Sequence, residues 1–161
     1  MQLLDYDIKA ELTATKRTGI HRYTFPKDSL SQIHVDLGYA MNWDRPTETH
    51  ISVVNDSVIE GYRKSTGWAK DQRVYFVMKF SKPFNDFELF NDEKEISGTE
   101  ITGTNTKIIL NYKTTSQEQV VVKTGFSSAN ISGAIFDEAN LSNAIWIDGK
   151  KCSLGSIGSC Q

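Results

Sequence analysis

Oily and polar residues alternate along most of this chain. Ile8, Ala10, Leu12 and Ala14 are separated by Lys9, Glu11 and Thr13. An extended backbone would put the first set on one face and the second on the other. Ile20 to Phe25 reads as a returning strand stopped by Pro26, with Gly19 as the hairpin turn before it. Ile33, Val35 and Leu37 alternate again, and "NWDRPT" (42–47) reads as a loop from its Asn, Asp and Pro content. "THISVVND" and "SVIEGYRKS" are β-branched runs around Asn55-Asp56, which predicts a hairpin. Gln72 to Phe80 is the clearest strand, with Val74, Phe76, Met78 and Phe80 on one side. Further strands are expected at 84–90, 95–102, 107–112 and 118–123, making about nine or ten short strands. Turn signals recur every ~8–12 residues, the spacing of stacked sheets rather than of βαβ units. The expected fold is therefore all-β: an antiparallel β-sandwich whose two sheets each turn an apolar face inward.

The pattern changes after residue 127. Ala129, Ala134, Ala139 and Ala144 recur every five residues, each followed two positions later by Ile131, Phe136, Leu141 or Trp146. A five-residue period suits a square coil whose sides turn one large and one small residue inward. An amphipathic helix is the other reading of the same residues. Two units are expected: a sandwich over 1–127 and a pentapeptide-repeat-like tail over 128–161. Cys152 and Cys160 fall in that tail, as a small disulfide loop or as two thiols.

A net charge of −2 and a pI near 5.9 argue against a dedicated nucleic-acid binder. Met1 to Glu11 lacks the pattern of a signal peptide, and no apolar run approaches the ~20 residues that span a bilayer. The chain thus reads as soluble, without a membrane partner or an export address. His21, His34 and His50 have no metal-ligand spacing, no Ser sits in GxSxG, and no Gly-rich loop would cradle phosphate. The carboxylates are scattered and suit a solvated strand face. No catalytic or metal residue is assigned. Two stretches remain, Trp43-Asp44-Arg45 and Arg63 to Trp68. An aromatic plane beside Arg, Asp and Asn groups can stack on a sugar and bond its hydroxyls. The same groups can close a sandwich edge, with Trp68 as a lid and Arg63 paired to a carboxylate.

Three blocks carry a resemblance to a known family. "DYDIKAELTATKRTGIHRYTFPKDS", "GYRKSTGWAKDQRVYFVMKFSKPF" and "EQVVVKTGFSSANISGA" are similar, in that order, to the N-terminal domain of the glycoside hydrolase family 92 α-mannosidases. The resemblance covers about residues 4–133. It implies a lineage of calcium-dependent, inverting exo-α-mannosidases, common in bacteria that scavenge glycans and secreted or periplasmic in location. In that family an N-terminal β-sandwich packs on an (α/α)-barrel, and the barrel supplies most of the acid, base and calcium ligands. An SHENE-like stretch that the family carries just upstream of the first block is not among these residues. "ANLSNAIWIDGKKCSLGSIGSC" resembles instead the end of a bacterial pentapeptide-repeat protein. The expectation is a non-catalytic sandwich with no cofactor of its own and weak affinity for α-mannoside glycans through Trp43, Arg63 and Trp68. Its partner would be an (α/α)-barrel or a second copy. A protein–protein adaptor, or a fragment without independent function, is the other reading.

Overall fold

The computed structural model describes residues 1–15, 17–67 and 69–126. The tail predicted over 128–161, with both cysteines, lies outside them. The described chain is all-β apart from one 3-10 turn at Leu4–Tyr6. Its strands are β1 (Gln2–Leu3), β2 (Ile8–Ala14), β3 (Thr18–Phe25), β4 (Asp28–Asp36), β5 (Arg45–Asn55) and β6 (Val58–Thr66), followed by β7 (Gln72–Phe80), β8 (Asp86–Asn91), β9 (Lys94–Ile96), β10 (Glu100–Gly103), β11 (Thr106–Thr114) and β12 (Glu118–Phe126). Eight form one sheet in the order β1-β2-β3-β12-β7-β6-β5-β10, and four form a second in the order β4-β11-β8-β9. Their strand pairings are antiparallel.

The core lies between the sheets. Phe25, Ile51, Ile59, Phe80, Ile101, Val120 and Val122 enter it from the large sheet, and Ile33, Leu89, Ile108, Leu110 and Tyr112 from the small one. Each fully buried aliphatic side chain contributes about 1.5–3 kcal/mol. Register decides which residues share that face. Ile101 lies opposite Ile51, Ile51 opposite Gly61, and Gly61 opposite Phe76. Gly61 is the small member of that row for a steric reason: a Cβ there would sit 2.1 Å from the His50 carbonyl oxygen. One buried polar link also joins the sheets. The Thr49 hydroxyl on β5 accepts from the backbone N–H of Thr106 on β11 at 3.0 Å and lies 2.9 Å from the Thr106 hydroxyl.

Several sequence expectations shift. Gly19 sits inside β3, opposite Ala14 and Thr124, and the reversal comes earlier, where the Thr15 N–H bonds the Thr18 carbonyl at 2.8 Å. Arg45, Pro46 and Thr47 belong to β5 rather than to a loop, because β6 offers partners to Arg45 and Pro46. The run expected at 95–102 divides into β9 and β10, which lie in different sheets. Gly98, at φ 134°, is the corner between them, in a backbone region open to glycine. Leu12 is 58% exposed although it alternates with polar neighbours. The eight-stranded sheet is wider than the four-stranded one, so part of its inner face extends past its cover.

Candidate functional site

The two stretches singled out in the sequence meet at one end of the sandwich. Residues 37–44 connect β4 to β5, and β5 then pairs with β6, placing Arg45 opposite Thr66 and Pro46 opposite Ser65. Arg63, on β6, reaches back along this connection. Its Nε donates to the Leu37 carbonyl at 3.0 Å, and its Nη2 to the Tyr39 carbonyl at 3.3 Å and to Asp44 Oδ2 at 2.5 Å. Arg45 clasps the other side, with Nη1 2.7 Å from the carbonyls of Asn42 and Asp44. The Asp44 N–H closes a turn onto the Met41 carbonyl at 3.1 Å, and Asn42 takes the left-handed conformation at φ 56°. Gly67 lies against this turn so closely that a Cβ would fall 2.9 Å from the Asp44 Cα. The Arg63 guanidinium, helped by the Ser65 hydroxyl and then by Arg45, holds the Asp44 carboxyl below its ordinary range.

The result is a short loop whose backbone is tied down and whose oily side chains point outward. Tyr39, Met41 and Trp43 are 72%, 68% and 55% exposed. Of the three residues predicted to touch sugar, Trp43 lies on this loop. Arg63 lies beneath it, facing carbonyls and a carboxylate. Trp68 is outside the described residues. Tyr39 and Met41 were not singled out from the sequence. Their signal was present: an every-other-residue run of large side chains between Gly38 and Pro46, where no strand is predicted.

A second group stands on the outer face of the large sheet. Thr102, His50, Tyr62 and Tyr75 lie in register across β10, β5, β6 and β7. The His50 and Tyr62 rings stack at 5.2 Å and 19°, Tyr75 tilts against Tyr62 at 5.5 Å, and Lys64 Nζ sits 5.0 Å from the Tyr62 ring centre. Glu48 accepts from Lys64 Nζ at 2.5 Å and from the Tyr62 hydroxyl at 2.8 Å, which lowers its own pKa and raises theirs. These rings cover one another's faces. They brace the strands and leave little flat surface for a sugar.

Calcium takes six to eight oxygen ligands, several of them carboxylates. Among the described residues no group of three or more His, Cys, Asp or Glu side chains could hold a metal ion. The described residues do not fit a calcium site on their own.

Comparison with known proteins gives a consistent result. The glycosyl hydrolase family 92 N-terminal domain matches residues 1–127. A family 92 α-mannosidase from Bacteroides thetaiotaomicron superposes with a TM-score of 0.74 at 31% identity, over 78% of this chain and 18% of that one. The same enzyme in complex with mannoimidazole gives the same values. An inverting family 92 mannosidase from Bacteroides thetaiotaomicron VPI-5482 shares the fold, with a TM-score of 0.64 at 21% identity over 75% of this chain and 16% of that chain. Among curated proteins nothing matches. The chain thus spans under a fifth of the length of the solved enzymes it resembles. Its match over residues 1–127, carried on this two-sheet fold, makes it a member of glycoside hydrolase family 92 through that family's N-terminal domain.

Proposed function

We propose that this domain forms one wall of a mannoside-binding cleft and presents the pinned loop to the sugar or to the domain that completes the cleft. The observation that supports this reading is the contrast within residues 37–45. Two arginines hold the backbone, while Tyr39, Met41 and Trp43 stay exposed at one rim. A rigid aromatic surface binds with little ordering cost. Trp43 supplies a plane for stacking. Arg63 acts indirectly in this reading: it sets the loop and does not touch sugar.

Inverting hydrolysis needs an acid and a base about 6.5–9.5 Å apart across a water. A single wall cannot supply both, so these 161 residues are expected to release no leaving group from an aryl α-mannoside, with or without calcium. The completing partner would be an (α/α)-barrel domain, and calcium would bind there. The pentapeptide-repeat tail over 128–161, a bacterial source and a secreted or periplasmic location belong to the same proposal.

Titration with α-mannobiose tests the binding part. Expected are saturable changes in tryptophan fluorescence and amide shifts concentrated at 38–45. Sugar-independent spectra with a mass that rises with concentration would favour the adaptor reading, in which the same exposed loop docks a protein. Calcium-dependent turnover by this chain alone would overturn both.

A further inference from the structure

A second open feature lies just before the pinned loop in the chain, on β4 at the edge of the small sheet. A sheet edge exposes unpaired backbone groups, and proteins usually guard it by keeping edge strands short. Three of the four edges here are short: β1 has two residues, β9 three and β10 four. The fourth, β4, has nine residues, pairs among the described residues with β11 alone, and contains no proline. Its outward backbone groups follow from register. The Leu37 N–H bonds the Thr106 carbonyl at 3.0 Å, so the odd residues 31, 33 and 35 also point their backbone at β11. Gln32 and His34 therefore turn their N–H and C=O groups away from it. Leu30 N–H is occupied by the Asp28 carboxylate at 2.9 Å, which leaves Gln32 and His34, with Asp36 at the strand's end, open among the described residues.

The side chains of Gln32 and His34 are fixed. His34 Nε2 lies 3.1 Å from Gln32 Oε1, Gln32 Nε2 donates to Asn111 Oδ1 at 2.9 Å, and Asn111 Nδ2 donates to Glu88 Oε1 at 2.9 Å. This chain of polar side chains crosses three strands, β4, β11 and β8, on the outer face.

Along the same edge runs a cleft of about 670 Å³, lined also by the 3-10 turn. It falls within the ~300–1,000 Å³ range of ligand sites. Among the described residues, Asp5, Asp7 and Asp28 line it and no lysine or arginine does. Leu4, Tyr6 and Leu30, each at least 65% exposed, give it apolar footholds.

We propose that β4 is a strand-addition site for an extended segment of another protein that carries basic side chains between apolar ones. The segment would pair with the backbone of Gln32 and His34, direct its cations to Asp5, Asp7 and Asp28, and rest its apolar residues on Leu4, Tyr6 and Leu30. Neither the sugar nor the pinned loop enters this proposal, so either can fail alone.

The test uses the whole chain and a labelled, end-blocked peptide, Val-Lys-Val-Lys-Val, followed by fluorescence anisotropy. Saturable binding is expected, at least about tenfold weaker when Glu replaces Lys or when alternate peptide amides are N-methylated, since each change removes charge pairing or edge hydrogen bonds. In the variant Asp5→Asn/Asp7→Asn the binding should fall severalfold. Asn tolerates the left-handed φ of 50° at position 7, so the fold should survive. Amide exchange at Gln32 and His34 should be fast in the free chain and slow with peptide. Absence of binding, equal binding of the N-methylated peptide, or protection of Gln32 and His34 without peptide would overturn the proposal. In the last case, mass against concentration would name the occupant: a second copy if the mass doubles, another part of this chain if it does not.

Discussion

Arg63 and Arg22 are both arginines on strands of the large sheet, and both face a carboxylate. Arg22 pairs with Glu11 at 2.9 Å across β2 and β3, with its side chain 46% exposed. Arg63 pairs with Asp44 at 2.5 Å with 20% exposure, and it also bonds two backbone carbonyls of the loop. The first pair decorates a sheet that backbone hydrogen bonds already define. The second defines a segment that has no ladder of its own. An ion pair counts for structure where it satisfies backbone groups that nothing else would satisfy.

Breaking the second pair should have the largest effect. Arg63→Ala removes three hydrogen bonds, one to a charged partner, and should cost about 2–4 kcal/mol in urea denaturation. Residues 38–45 should become mobile in relaxation measurements while the amides of β11 and β12 stay protected. Arg63→Lys should restore little, because an ammonium cannot span both carbonyls and Asp44 as a planar fork does. A loss below about 0.5 kcal/mol, the level of an ordinary surface substitution, would erase the distinction between the two arginines.

Asp44→Asn is the milder cut from the other side. It keeps the shape and loses the charge, so about 1 kcal/mol is expected near neutral pH. The pH dependence has a definite sign. The folded carboxyl of Asp44 titrates below its ordinary value of 3.8. Its stabilisation is present above that value and is lost as pH falls through the lower, folded one. Native protein and Asp44→Asn should therefore differ at pH 7 and converge well below pH 3.8. A difference that stays constant through acid would show that the carboxylate's charge is not what holds the loop.

A buried group with no partner sharpens the same point in the opposite direction. Among the described residues the Tyr112 hydroxyl, enclosed in the core, has no hydrogen-bond partner, and burial raises its pKa. Tyr112→Phe should keep the ring packing and remove the orphan, giving a gain of about 0.5–1 kcal/mol. A loss instead would mean that the hydroxyl has a bonding partner, such as a bound water.

Much of the fold was legible because strand alternation is a local property. Gln72–Phe80 could be bounded from Val74, Phe76, Met78 and Phe80 alone, and Asn55-Asp56 marked its hairpin by turn chemistry. What could not be read was which sheet a strand joins. Residues 95–102 read as one strand on paper, yet Ile96 lies opposite Leu89 in one sheet and Ile101 opposite Ile51 in the other. The site was half legible for a similar reason. Trp43, Asp44 and Arg63 were conspicuous by type, but the role of Arg63 depends on the Leu37 and Tyr39 carbonyls lying within its reach, and that is set by how β4 hands the chain to β5. The open edge of β4 was invisible in the sequence. Edge or centre is a statement about neighbours, and Ile33 and Val35 would alternate the same way in either place.

The smallest effect belongs to Arg22, and it tests the comparison from its weak side. Arg22, first, and Lys9 hold the Glu11 carboxyl at about 2, down from 4.5. By linkage this stabilisation is present above pH 4.5 and is lost as pH falls toward 2. The pair is exposed, so water and salt screen the shift and little of it should reach stability. Arg22→Ala should leave the denaturation midpoint unchanged at pH 7 in moderate salt, while a carbon-13 titration shows the Glu11 carboxyl moving up toward 4.5. The two readouts must part company for the argument to hold. If the midpoint falls together with the titration shift, strand-face pairs in this sheet are structural after all, and Arg63 loses its claim to a distinct role.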